Sequence, residues 1–359
     1  MPTSLPLPIS LIGLSTAVPE HEINQQVAAD GAHSLFAHRI RDYDRLASVF
    51  ASTGIDRRFS VRPLEWFSQA HGWHERTTAY LEGACALYKR VVAQVLASAQ
   101  LRAADIDAVV TISSTGIATP SLESRVLPQM GFRPDLQRVP VFGLGCAGGV
   151  SGLALASRLA AAQPNSLVLL VSVELCTLSF RLDRATKADV IATALFGDGA
   201  AAAIVTSRED RPVIATIIGG TEHLWPATLD IMGWATDDIG FGVVLSRSLP
   251  SFIAKNYRAV FASAQSRLAM SDHQLGRAIC HPGGTKVIEA IESMLDLAPG
   301  SLDYERGVMR EYGNMSAPTV FFVLERVLAA DALPQRAMLA ALGPGFTASF
   351  VRLDSANGR

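Results

Sequence analysis

The chain has 359 residues, 49% of them apolar and 18% charged, with a formal net charge of −2. That is enough chain, and a suitable composition, for two ordinary domains or one large duplicated one around a dry core. It excludes a nucleic-acid partner, because phosphate binding needs clustered cations and the sequence has no long run of like charge.

Short β-rich runs alternate with Ala/Leu-rich stretches, which predicts an α/β fold. The first buried strand expected is Ala108–Ile112, and a helix follows Gly149. Strands are then expected at Leu167–Val173 and Ala201–Val205. Further on, a helix fills Phe252–Leu268, a strand covers Arg277–Cys280, and a second helix runs from Thr285 to Leu295. In that helix Ile288, Ile291 and Leu295 recur at i, i+3 and i+7, so one face is apolar. A helix from Ser316 to Ala329 and strands at Ala337–Leu342 and Ser349–Leu353 close the chain. Each half offers a strand, a glycine-rich turn and an Ala-rich helix, with a reactive residue at the turn. The turns are Gly143–Gly149 (GLGCAGG) and Cys280–Gly284 (CHPGG). The expected division is 1–220 for a half carrying a nucleophilic cysteine and 221–359 for a half carrying a histidine and an asparagine. No repeat of short period is visible, which excludes solenoids and propellers.

No apolar stretch reaches the ~18–20 residues that cross a bilayer. The opening MPTSLPLPIS lacks the basic region of a signal peptide. Cys85, Cys146, Cys176 and Cys280 form no CxxC pair, so neither a metal site nor a disulfide framework is expected. These features together predict a cytoplasmic enzyme without a transmembrane segment.

Three residues invite chemistry. Cys146 ends a strand and opens a helix, where unpaired N–H groups and the positive end of the helix dipole favour thiolate. The alternative is a small buried cysteine in a tight turn. His281 follows a strand end and precedes Pro-Gly-Gly, a turn that exposes a side chain to a cleft; a satisfied core histidine is the plainer reading. Asn314, in Glu-Tyr-Gly-Asn-Met-Ser-Ala-Pro, could be a helix N-cap. A thiol, an imidazole and an amide, each at the start of a helix, together suggest a nucleophile with two hydrogen-bonding partners.

At these residues the sequence resembles the thiolase superfamily, and within it the type III polyketide synthases, the chalcone-synthase-like enzymes. The motifs are GCAGG (Gly145–Gly149), LFGDGAAAAIV (Leu195–Val205), HPGG (His281–Gly284), EYGNMSAP (Glu311–Pro318) and GPGF (Gly343–Phe346). The resemblance implies a five-layer αβαβα fold built from two duplicated halves, and a homodimer. It implies an acyltransferase in which Cys146 carries the starter acyl group, while His281 and Asn314 stabilise the enolate formed by decarboxylation of malonyl-CoA. It also implies a His–Cys ion pair that keeps the thiol ionised before loading. No cofactor is expected beyond the CoA thioesters that are its substrates.

The resemblance also implies a pocket. Phe196 matches one of two phenylalanines that gate the cysteine in plant enzymes, and the second falls on Val243, where the lost ring is expected to widen the path. Cys176, Ser179 and Thr119 are expected to face the cavity. CoA is expected at Arg45, Gly283 and Gly284; other basic positions of plant relatives fall on Ser48 and Ser52, with Arg57 and Arg58 as substitutes. Met232–Trp234 and Gly240–Ser246 look like bacterial members that take fatty acyl starters, on CoA or an acyl carrier protein, and make alkylpyrones or alkylresorcinols. The alternatives are an initiating β-ketoacyl-acyl-carrier-protein synthase, a thioester hydrolase or acyltransferase, and a degenerate non-catalytic partner. HPGG, GNMS and the intact Cys–His–Asn set speak against these in turn.

Overall fold

The computed structural model describes residues 4–356. In chain order, β1 (Ser4–Ala17) leads to β2 (His21–Asn24), α1 (Gln25–Phe36), α2 (Tyr43–Ser52) and β3 (Arg57–Ser60). Then come α3 (Trp73–Ser98), β4 (Ala108–Ile112), α4 (Leu122–Val126), β5 (Gln137–Val141) and α5 (Gly148–Ala162). The first half closes with β6 (Leu167–Leu175), α6 (Lys187–Leu195) and β7 (Asp198–Thr206). The second half opens with β8 (Ala215–Leu224), the hairpin β9 (Met232–Thr236) and β10 (Phe241–Leu245), and α7 (Leu249–Arg267). It ends with β11 (Arg277–Cys280), α8 (Thr285–Met294), α9 (Asp303–Tyr312), α10 (Thr319–Ala329), β12 (Arg336–Gly343) and β13 (Thr347–Ser355).

Nine strands hydrogen-bond in the order β11-β12-β13-β8-β1-β7-β6-β4-β5. From the middle outward the two directions repeat one pattern. On one side β1, β7 and β6 are successively antiparallel, and β4 is then parallel to β6. On the other side β8, β13 and β12 are antiparallel, and β11 is parallel to β12. The long β1 joins them, since Ser10 and Leu11 pair with both β7 and β8. This is the duplication expected from the sequence.

Period-two alternation sorts the side chains into layers. Val168 and Leu170 of β6 join a core with α5 and α10, whereas Leu169 and Val171 join a second core with α3. Leu339 and Ala341 of β12 reach the same central core from the other half, whereas Met338 and Ala340 pack with α7 and α8. Helix α5 touches strands of both halves, so the sheet folds over a central helical layer. The result is α3, strands, α5 with α10, strands, α7 with α8: five layers.

The duplication corrects one pairing expected from sequence. Helix α5 precedes β6 as α10 precedes β12, so the counterpart of the Cys146 turn is the Gly313–Ser316 segment before α10, not CHPGG. His281, just after β11, corresponds instead to the Ser113–Thr115 segment after β4. The central layer is close-packed where the two meet: a Cβ on Gly149 would lie 2.3 Å from the Ala317 carbonyl oxygen. That approach sets Cys146 against Asn314.

Candidate active site

Between β5 and α5 the backbone turns through Gly143 (φ 94°) and Gly145 (φ 48°), conformations that glycine adopts without strain. Cys146 follows in a single 3-10 turn, Gly145–Ala147. The hydroxyl of Ser114 accepts from the N–H groups of Gly143 at 3.1 Å and Gly145 at 3.2 Å, pinning the turn to the end of β4. The GPGF loop backs it from the other side: a Cβ on Gly343 would sit 2.6 Å from that of Ala147.

His281 is fixed by its own N–H donating to the Ala340 carbonyl at 2.8 Å. Asn314 is fixed by backbone bonds to both neighbours of Phe196. Its N–H donates to Leu195 at 2.8 Å and its carbonyl accepts from Gly197 at 3.0 Å. His281 and Asn314 are each 4% exposed. The amide oxygen of Asn314 accepts from the N–H of Ser316 at 2.8 Å, which orients its Nδ2 as a donor, 3.5 Å from the Gly283 carbonyl. The Cys146 Sγ lies 4.0 Å from Asn314 Oδ1. Both ring nitrogens of His281 lack a hydrogen-bond partner among the described residues. A buried imidazole with two open positions is costly to keep empty.

Cys146, His281 and Asn314 line one cavity of about 90 Å³ together with Gly283, Ser316 and Trp234. A second, larger cavity of about 360 Å³ lies next to it. Cys176, Phe196 and Val243 line both, so they stand between the two. Ser179 lines the larger cavity only. Thr119 is exposed, directly before a cis proline, and lines neither.

The residues expected at CoA are spread out. Gly283 lines the smaller cavity, and Gly284 (φ 146°) caps the start of α8. Arg45 is exposed on α2, away from both cavities. Arg57 is exposed and pairs with Glu22 at 3.3 Å. Arg58 is buried and donates to Gln25 and to the Thr193 and Phe196 carbonyls, so its cation holds the end of α6 rather than facing solvent.

Burial dominates the electrostatics. It pushes the Cys146 thiol up to about 11, against contacts with Ser316 and Asn314 that pull it down. It pushes His281 down to about 3. Both shifts favour the neutral thiol and imidazole over the His–Cys ion pair expected from the sequence. The positive end of α5 favours thiolate, but desolvation outweighs it. Buried Glu174 is pushed up to about 8 by burial and accepts from the Ser114 N–H at 2.9 Å. Among the described residues no group of three His, Cys, Asp or Glu could hold a metal ion, and no helix is long and apolar enough to cross a membrane.

Sequence reasoning missed Trp234 as a site residue. It pairs across the hairpin with Val243, donates its Nε1–H to the Ser114 carbonyl at 2.8 Å, and meets the Phe196 ring edge-on at 6.3 Å. The aromatic surface lost at Val243 is thus partly restored from the neighbouring strand. Ser114 and Thr115 were also missed, though they follow the end of a recognisable strand, where ligand sites of α/β sheets gather.

Comparison with known proteins gives a concordant picture. The family model "Chalcone and stilbene synthases, N-terminal domain" matches residues 8–209, and the corresponding C-terminal domain model matches residues 217–355. A putative chalcone synthase of Bacillus subtilis is 34% identical over 354 residues, covering 95% of this chain and 97% of the relative. A 1,3,6,8-tetrahydroxynaphthalene synthase of Streptomyces peucetius is also 34% identical, covering 96% and 92%. The solved structure of the Streptomyces coelicolor 1,3,6,8-tetrahydroxynaphthalene synthase, a bacterial type III polyketide synthase, superposes with a TM-score of 0.91. It is 26% identical and covers 96% of this chain and 99% of that one.

Proposed function

We propose, since this chain belongs to the chalcone and stilbene synthase family and is a type III polyketide synthase, that it extends a long-chain fatty acyl starter with malonyl-CoA on Cys146. The single observation that carries the reading is a pair of adjacent cavities that share the side chains of Cys176, Phe196 and Val243. One holds a thiol, an amide donor and an imidazole with both nitrogens unpartnered; the other is mostly apolar.

In this mechanism the Cys146 sulfur attacks the thioester carbonyl of the acyl starter as His281 takes the thiol proton. The C–S bond to CoA breaks, and the proton passes to the departing CoA thiolate. Catalytic hydrogen bonds of this kind tighten when substrate binds. Malonyl-CoA then enters, and its thioester oxygen accepts from a ring N–H of His281 and from Asn314 Nδ2–H. The bond to the carboxylate breaks, CO₂ leaves, and the electron pair becomes the enolate that these two donors stabilise. The carbanion attacks the acyl carbonyl on Cys146 and expels the thiolate, leaving a chain longer by two carbons on CoA. Because Asn314 is a neutral amide, it stabilises the enolate without removing a proton. Loss of CO₂ drives the step, so the reading calls for no metal or redox cofactor.

The alkyl chain of the starter occupies the larger cavity. Ile23, Leu35, Leu64, Phe67 and Phe180 give it an apolar wall, and about 360 Å³ falls in the range of small-molecule sites. Each buried methylene stabilises the bound chain by about 0.8 kcal/mol. A tri- or tetraketide is released as an alkylpyrone when its enol oxygen displaces CoA. A tetraketide instead gives an alkylresorcinol by aldol closure with loss of water, water hydrolysing the thioester to release CoA and the resulting acid losing CO₂. A homodimer fits the same reading, because β5 is an edge strand with Phe142 exposed at its end.

The test is mass spectrometry of products from the purified protein, malonyl-CoA and starter CoAs from acetyl to stearoyl. Tri- and tetraketide pyrones or resorcinols from the long starters are expected. A single β-keto thioester would move the assignment to an initiating ketosynthase, and free fatty acid alone to a hydrolase.

A further inference from the structure

The larger cavity reaches α1, where one residue lacks the usual reason for being glycine. Among the described residues six glycines lie within helices: Gly31, Gly83, Gly148, Gly149, Gly152 and Gly307. At five of them an added Cβ would collide. It would lie 2.7 Å from Val61 at Gly83, 2.6 Å from Ile112 at Gly148 and 2.3 Å from the Ala317 carbonyl at Gly149. It would lie 2.9 Å from Ile112 at Gly152 and 2.6 Å from Arg326 at Gly307. At Gly31 it would meet nothing within 4 Å. Nor does Gly31 have the positive φ that requires glycine. Apart from proline, glycine is the least favoured residue inside a helix. What Gly31 does is line the cavity, between Ala28 and Ala32 on one face of α1.

We infer that Gly31, flanked by Ala28 and Ala32, sets the length of acyl chain the enzyme accepts. The inference rests on the reading that the starter's alkyl chain fills the larger cavity. The occupant follows from adjacency: among the described residues only the side chains of Cys176, Phe196 and Val243 are shared by the two cavities, and in this reading the acyl chain on Cys146 passes between them. Helix α1 contributes to the larger cavity and not to the smaller one, so only the distal part of a chain reaches it. Exposed Ser34, Glu65 and Ser68 form the rim beyond. A residue larger than glycine at 31 projects into the path of the distal methylenes and leaves short chains untouched.

The experiment compares kcat/KM for palmitoyl-CoA and hexanoyl-CoA, with malonyl-CoA as extender, in the wild type and in Gly31→Leu. The palmitoyl-to-hexanoyl ratio is expected to fall by about 10-fold or more, the scale on which apolar pockets discriminate. Gly31→Ala, whose methyl group meets no neighbour, is expected to shift the ratio the same way by less, and it carries the test if the leucine variant does not fold. An unchanged ratio in the folded variants overturns the inference. Val243→Phe, between the two cavities, separates the two ideas. If it lowers the ratio while the Gly31 variants do not, the chain enters the larger cavity but stops short of α1: the inference fails and the starter reading stands. If none of the variants shifts the ratio, or the wild type does not extend palmitoyl-CoA, the starter reading itself fails.

Discussion

Cys146→Ala is expected to abolish polyketide formation, by on the order of 10⁴-fold or more, while leaving part of the malonyl-CoA decarboxylation. The asymmetry follows from the geometry. Removing the sulfur removes the only atom that carries the acyl chain in the proposed reaction, but the donors on His281 and Asn314 stay in place. Both are held by backbone bonds that do not involve Cys146: His281 N–H to Ala340, and Asn314 to Leu195 and Gly197. The substitution removes one sulfur from a cavity wall, so the fold is expected to survive. Product chromatography and release of labelled CO₂ measure the two activities separately. Full-length product from the variant would sink the nucleophile assignment.

His281→Ala or Asn314→Ala is expected to slow decarboxylation by about 10²–10³-fold each, the usual effect of deleting one donor to a developing oxyanion. Acyl loading, followed by single-turnover labelling of Cys146, should suffer less in Asn314→Ala, because that amide is not needed to take the thiol proton. The pH dependence of decarboxylation carries a further sign. Burial lowers the His281 pKa to about 3, so the ring is neutral at every pH above that value and charged only below it. Decarboxylation by acyl-loaded enzyme should therefore show no limb near the ordinary histidine value of about 6.5. Activity that falls as pH rises through that value would mean that the imidazolium is the active form; activity that rises through it would mean a neutral ring whose pKa burial has not lowered.

The motifs made the chemical residues legible because each lies where a strand ends or a helix begins. The cysteine turn, HPGG and GNMS all arrive at one cavity. Short strands rich in apolar residues, such as Ala108–Ile112 and Arg277–Cys280, were legible to the residue. Others were not, for physical reasons. The prolines Pro6 and Pro8 hid β1, yet it is the strand that joins the two halves of the sheet. Residues Trp73–Ser98 mix charged and apolar side chains, and the mean character concealed a helix whose Tyr80, Leu87, Tyr88, Val91 and Val95 form one buried face.

The pocket was legible in part. Cys176, Phe196 and Ser179, which follow strand and helix ends, line the cavities, and so does Val243 from within β10. Trp234 was hidden because its place depends on the register of a hairpin, Val243 opposite Trp234, that no local pattern fixes. The protonation states were not legible either. A helix N-terminus argues for thiolate, and only the packed structure reveals that His281 is buried and Cys146 partly so. Helix α1 as a cavity wall depends on packing between segments far apart in sequence, since Gly31, Phe180 and Ala192 line the same cavity.

The most direct measurement is peptide mapping of the protein after brief exposure to palmitoyl-CoA without malonyl-CoA. A palmitoyl thioester on the peptide that contains Cys146, absent from Cys146→Ala, is the predicted result. An adduct on Cys176, which shares the cavity wall, or no adduct on a protein that still makes product, would contradict it.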